Sequence, residues 1–322
     1  MDLQRMLERC ERDQWSVSDL DWTRPPRPMS TDDEMAIVQL FTDMSAIERL
    51  AGALFVEQRK RVKDPTLKAI FGTFVRDEVR HAQAAMMLAD YYNVRHLQAY
   101  STSPSLVRFA PHFVDAVRYV SDEVANAYIT AGELILDIAL LRSVNDYVND
   151  DMSREAMRLI NRDESRHIAV DYHMVEYYAS DAYTRELEKK RARATLAERA
   201  TATRAFWGVI GHAAPFFRSV FFEPMSRVDP TGRRLHEAIK RFQVLGAKPG
   251  VKDRPFAKFM DRLQVAYGKP ALRVLFGPLI VRLVGLDPQF IRPLNSDAEL
   301  ARASTLSFET LADEALAMKS VN

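Results

Sequence analysis

A pentapeptide that occurs twice constrains this chain more than any other stretch: DEVRH at 77–81 and DESRH at 163–167. Each contains Glu-x-x-His within a long run nearly free of Gly and Pro, the pattern of a helix. Residues three apart share a helix face, so Glu78 projects with His81 and Glu164 with His167. A carboxylate and an imidazole on one inward face are metal ligands at ordinary spacing. Two such pairs point to a two-metal site inside a bundle of helices.

The repeat extends beyond the pentapeptides. Glu78 and Glu164 lie 86 positions apart, as do His81 and His167. Two helix pairs related by a pseudo-two-fold would each supply a further acid from the preceding helix. Glu48 and Glu133 keep that register within one residue, whereas Glu57 and Glu123 miss it by two turns or more. Met44, Ile47, Ala51, Leu54 and Phe55 surround Glu48 with an apolar face, and Leu134, Leu136 and Leu140 do so for Glu133. An acid on such a face is costly to bury without a partner or a metal. The candidate ligands are therefore Glu48, Glu78 and His81 for one ion and Glu133, Glu164 and His167 for the other. Glu78 and Glu164 are the expected bridges. Four carboxylates and two imidazoles suit iron or manganese better than copper or zinc.

Breakers and caps divide the chain into an N-terminal extension (1–29), a four-helix bundle (30–180) and a C-terminal helical elaboration (181–322). RPPRP at 24–28 cannot be helical. A Thr31…Glu34 capping box opens a first long helix running to about Val62. Asp64-Pro65 opens a second, running to about Tyr92. Residues 93–110 read as a crossing segment. A third helix is expected from about Pro111 to Val148, and a fourth from Asn149-Asp150-Asp151 to near Ser180. Beyond it, a stretch over 181–222 should kink or break at Pro215. Shorter helices are expected near 230–246, 255–267 and 269–285, with a last one opened by the SDAE capping box at Ser296. The fold class is all-α: a ferritin-like four-helix bundle with additional C-terminal helices packed on it.

Composition removes several alternatives. Cys10 is the only cysteine, which excludes an intrachain disulfide framework, a cysteine-based zinc finger and a four-cysteine iron–sulfur site. A net charge of +1 gives no general pull toward nucleic acid. The charged first twenty residues do not read as a secretory signal, so the cytoplasm is the expected location. Residues 240–286 carry ten Lys or Arg against Asp253 and Asp261. That stretch offers either a solvated face or a docking surface for an acidic partner, and LRVLFGPLIVRLVG at 272–285 offers peripheral membrane contact.

Glu-x28-Asp-Glu-x-Arg-His followed by Glu-x29-Asp-Glu-x-Arg-His resembles the ligand pattern of the oxygen-activating di-iron carboxylate proteins. The double DExRH is similar to that of the hydroxylase subunits of soluble methane and toluene monooxygenases, and acyl-carrier-protein desaturases carry related motifs. RDES-x-H in a single chain of this size also resembles the AurF-type arylamine N-oxygenases. The resemblance covers roughly 30–180. It implies two iron ions, or a manganese–iron pair, and an oxidase or oxygenase that uses O2. A small organic substrate, free or tethered to a carrier protein, and an external electron donor such as a ferredoxin or reductase would complete it. The alternative is a metal-handling or peroxide-detoxifying protein. A homodimer is compatible with either. By the same resemblance, Asp77 would reach His167 and Asp163 would reach His81, with Arg80 and Arg166 balancing the two acids. Three positions depart from the related patterns. Ala85 stands where a radical tyrosine would lie one turn past the first His, and Ile160 where an extra histidine ligand would lie. Asp137 replaces a hydroxyl residue one turn past Glu133; it reads as a proton relay, an extra ligand or a partner of Arg142.

Overall fold

The computed structural model describes residues 1–284 and 288–318, and among them every regular element is a helix. In chain order these are α1 (Leu3–Arg12), α2 (Thr31–Arg59), α3 (Pro65–Tyr92), α4 (Pro104–Tyr119) and α5 (Asp122–Glu133). A π-helical segment, Leu134–Leu140, joins α5 to α6 (Leu141–Val148), and α7 spans Asp151–Tyr178. Then come α8 (Asp181–Arg193), α9 (Leu196–Phe217), a second π segment (Arg218–Phe222), α10 (Glu223–Val228) and α11 (Arg233–Ala247). The last are α12 (Pro255–Gly268), α13 (Pro270–Val284), α14 (Pro288–Ile291), α15 (Asp297–Thr305) and α16 (Phe308–Ala317).

Two helical hairpins hold the interior. α2 packs along α3, and the α5–π–α6 rod packs along α7; α3 meets α7 and α2 meets α5 between them. Local chemistry sets each entry. Asp64 accepts from the Leu67 amide with Pro65 at the first helical position, and Asp150 accepts from the Ser153 amide. Asn149, in the left-handed region at φ 50°, ends α6 so that the chain can reverse. The expected Thr31…Glu34 box is displaced by one residue. Ser30 is the cap, accepting from the Asp33 amide, while Glu34 is buried and accepts from the Arg95 amide at 2.7 Å.

The third long helix departs from expectation. Pro111 lies inside α4, because Leu106, Phe109, Phe113, Ala116 and Val117 form one buried stripe running through it. That packing outweighs the backbone bond a proline forfeits. The break falls instead at Val120–Ser121, where Ser121 caps α5 by accepting from the Glu123 amide at 3.2 Å. Pro215 also remains inside a helix, and the widened turn Arg218–Phe222 follows it in place of a break. The break in that stretch comes at Ala194–Thr195, where Thr195 and Glu198 form a capping box. Ser296 and Glu299 form the expected one, but a new cap at Ser307 divides the last helix in two.

A single core runs from Met6 to Ala315, so the first 29 residues and the C-terminal helices share one interior with the hairpins. A small separate core, Tyr267, Ile280 and Ile291, holds α12, α13 and α14 together. No helix of the described residues is long and apolar enough to cross a membrane.

Candidate metal centre

α2, α3, the α5–π rod and α7 bring Glu48, Glu78, His81, Glu133, Glu164 and His167 to one buried point. They form two overlapping groups whose ligand atoms lie within 4.8 Å of one another: Glu48, Glu78, His81 and Glu164, and Glu78, Glu133, Glu164 and His167. Glu78 and Glu164 belong to both, the geometry required of bridging carboxylates. All six side chains are almost wholly inaccessible to solvent. Glu57 and Glu123 lie elsewhere, the first against Arg118 at 3.0 Å and the second against Arg254 at 2.5 Å.

Each histidine presents one nitrogen inward and the other outward. Nδ1 of His81 lies 2.9 Å from Glu164, and Nδ1 of His167 lies 2.9 Å from Glu164 and 3.2 Å from Glu78. The opposite edges face aspartates: Nε2 of His81 is 3.2 Å from Asp163, and Nε2 of His167 is 3.4 Å from Asp77. An ionised carboxylate can only accept, so each Nε2 carries a proton outward, and Nδ1 is the nitrogen that would be left to a metal. The aspartates are shared by both arginines. Arg166 donates to Asp163 at 2.7 Å and to Asp77 at 3.5 Å, and Arg80 donates to Asp163 at 3.0 Å and also to Asp77. Two acids against two guanidiniums make this outer layer neutral. Burial works against the charged forms of Asp77 and Asp163, but the facing histidines hold both below the ordinary carboxylate range, helped at Asp163 by Arg166.

The inner layer is not neutral by itself. Burial, reinforced by neighbouring acids, raises Glu48, Glu78 and Glu133 above the ordinary range. Glu164 goes the other way, because the charges of His167 and His81 overcome its burial. Carboxylate against imidazole likewise overcomes burial at His81 and His167 and raises both. Among the described residues, oxygens of Glu48, Glu78, Glu133 and Glu164 and Nδ1 of both histidines, although close to one another, make no aligned hydrogen bond. Buried polar atoms are rarely left so. Two divalent cations would satisfy these atoms and cancel four carboxylate charges, so the donor set fits a two-metal centre.

Aromatic rings and close backbones fix the ligands. Phe74 lies 4.1 Å and Phe55 5.3 Å, centroid to centroid, from the His167 ring. Gly52 of α2 approaches the stem of Glu78 so closely that an added Cβ would sit 3.2 Å from the Glu78 Cβ.

Sequence reading missed three contributors. Trp15 donates Nε1–H to Asp163 at 2.7 Å, and Gln14 donates to Asp77 at 3.2 Å while accepting from Arg80 at 2.9 Å. The only available signal was a tryptophan in an otherwise charged N-terminal stretch. Asp171, one turn past His167, is fully buried with neither side-chain oxygen hydrogen-bonded, and burial raises it well above its ordinary range. An acid at i+4 from a ligand was legible in the sequence but passed over. Asp137 lies buried in the π segment and in neither ligand group; Arg142 donates to the Met318 carbonyl at 2.7 Å. Ala85 and Ile160 are wholly buried. Cys10 is buried too, which pushes its thiol up and makes it a poor nucleophile.

A cavity of about 690 Å³, lined mainly by apolar side chains, takes part of its wall from the helical rod that carries Glu133, although none of the six candidate ligands lines it. Thr130, Ala131 and Ile135, which flank Glu133 on its own helix, form part of its wall; Phe109, Phe217 and Phe259 are among the others. The size is that of a drug-sized ligand site. Comparison with known proteins finds no matching family model, no matching curated protein and no matching solved structure.

Proposed function

We propose that this chain is a ferritin-like di-iron protein, an oxidase or oxygenase that uses O2 on a small organic substrate. The observation that carries the reading is the buried pair of Glu/His groups sharing Glu78 and Glu164; an apolar cavity walled in part by the rod that carries Glu133 supports it. Glu48, Glu78 and His81 would hold one ion and Glu133, Glu164 and His167 the other, with the two shared acids between them. Bound iron, or a manganese–iron pair, would supply the redox chemistry.

The chain's own residues do the rest. Asp77 and Asp163 keep the protons on Nε2 of the histidines and so orient both rings. Thr130, Ala131 and Ile135, on the rod that carries Glu133, would give an apolar substrate a wall to lie against. Burial raises the Asp171 carboxyl, which lies close enough to feel the charges of His167, Glu164 and Glu78, so it keeps its proton to higher pH than an ordinary aspartate. The electron donor, a ferredoxin or reductase, would be external, because Cys10 alone cannot hold an iron–sulfur cluster.

Anaerobic titration with ferrous iron followed by rapid mixing with O2 tests this. Uptake near two ions per chain, with O2 consumption that responds to apolar ligands, is the expected result. Slow growth of a mineral core would favour metal storage instead, and failure to bind iron would refute the assignment.

A further inference from the structure

The α12–α13 hairpin has two unlike faces. One forms part of the cavity wall through Phe259, Met260 and Leu263. The other leaves large apolar side chains in solvent: Val274 is 79 % exposed, Leu275 72 %, Leu279 60 % and Val265 51 %, with Phe276 half-exposed beside them. α13 packs on α9, which exposes Trp207 at 65 %. Single exposed apolar residues need no explanation, but a cluster of this size on one hairpin marks a surface that is covered in use.

Charge decides what covers it. Much of the basic stretch 240–286 is already spoken for. Lys240 pairs with Glu299, Arg241 with Glu314, Arg254 with Glu123 and Lys258 with Asp253, while the Lys248 ammonium donates to the Ala303 carbonyl. Arg262, Lys269, Arg273 and Arg282 form no ion pair within the described residues, and residues 262–286 contain no Asp or Glu. The unpaired cations therefore sit on the same hairpin as the exposed apolar groups. A second copy related by a two-fold would bring four cations against four, with Asp261 of each copy the one acid on the hairpin to answer them. A soluble acidic partner would answer the cations but would leave Val274, Leu275 and Leu279 against solvated carboxylates. An anionic lipid surface answers both, with phosphate headgroups for the Arg and Lys and the acyl boundary for the Val, Leu and Phe.

We propose that the α12–α13 hairpin docks this protein on the surface of an anionic phospholipid bilayer, lying in the interface without spanning it. The cavity wall then rests on the membrane, and, on the di-iron reading, the substrate class becomes an apolar molecule drawn from the lipid phase. The docking itself does not depend on that reading.

Co-sedimentation of the full-length chain with vesicles of phosphatidylcholine, with or without phosphatidylglycerol, tests the docking without metal or turnover. Binding should require phosphatidylglycerol, weaken with salt and shift Trp207 fluorescence to the blue. The double variant L275E/L279E should lose roughly tenfold or more of the bound fraction at unchanged helicity. If that variant does not fold, K269E/R282E should remove the phosphatidylglycerol preference while leaving the apolar face intact. Equal binding by parent and folded variant overturns the proposal, as does no binding to either vesicle. A concentration-dependent dimer that L275E/L279E disperses would also overturn it, by assigning the face to a second copy. Because iron uptake is not read, failure here leaves the metal centre standing, and failure of the centre leaves the docking standing.

Discussion

Among single residues, the ligands and their supports should separate cleanly. His81→Ala removes a ligand from only one group, so the iron content should fall from about two ions per chain to about one. Elemental analysis after anaerobic loading checks this; an unchanged content would remove His81 from the ligand set. Asp77→Asn should act more mildly, lowering metal affinity by roughly ten- to a hundredfold, because the neutral amide no longer fixes the His167 tautomer. Gly52→Ala sets two effects against each other. Alanine improves helix propensity by about 1 kcal/mol, yet its Cβ presses on the Glu78 stem. The metal-free protein should therefore melt no lower than the parent while its iron affinity falls, a combination that no general loss of stability would produce. The six ligand candidates were legible in the sequence because a repeat of fixed period ties residues far apart to one geometry. Trp15 and Gln14 were not, since nothing in a residue's local pattern reveals a partner 148 or 63 positions away.

For the elements, the π segment Leu134–Leu140 is the feature that pattern reading could not supply. It starts at the residue after Glu133 and carries the buried Asp137. A π turn holds an extra residue in an otherwise regular helix, so it rotates the later turns of the rod against the earlier ones. Here it lets Glu133 face the centre while Leu141, Val144 and Val148 still face the core. Deleting Ile138 should restore a regular α-helix and force one of those faces to turn by about 100°. The expected outcome is preserved helicity by circular dichroism with iron content reduced to about one ion per chain. A deletion variant that still binds the parent amount would mean that the π turn has no part in placing Glu133. The hairpins themselves were readable from Asp64-Pro65 and Asn149-Asp150, where turn chemistry is local. The misplaced break at Pro111 has a plain cause, since proline rules describe the backbone and a continuous buried stripe outweighs them; at Pro215 the helix continues and the widened turn Arg218–Phe222 follows. Ser-Asp-Glu at 121–123, a cap with first-turn acids, was the overlooked marker of the real boundary.

On the scale of the whole molecule, the buried charges predict opposite pH responses with and without metal. Glu48, Glu78, Glu133, Asp171, His81 and His167 all have raised values in the folded metal-free chain. Each binds its proton more tightly folded than unfolded, so its stabilisation is full below the unfolded value and is lost as pH rises through the folded one. For these carboxylates the loss begins above about pH 4.3, and for the histidines above about 6.5. Asp77, Asp163 and Glu164 have lowered values and contribute above their ordinary range, with loss only as pH falls into acid. The metal-free protein should therefore melt lower as pH rises from mildly acidic to mildly alkaline. Metal loading needs the same groups deprotonated, so the stabilisation conferred by iron should grow over that interval. Parallel melting curves for the two forms across pH would contradict the account. The N-terminal segment adds a constraint in time. The six candidate ligands are almost wholly shut off from solvent, and Gln14 and Trp15 are fastened to the aspartates behind both histidines. A chain whose first fifteen residues are peeled away would exchange its metal faster while holding it less tightly. On the two-metal proposal the segment would serve as a latch, and how often it opened would set the lifetime of a bound ion.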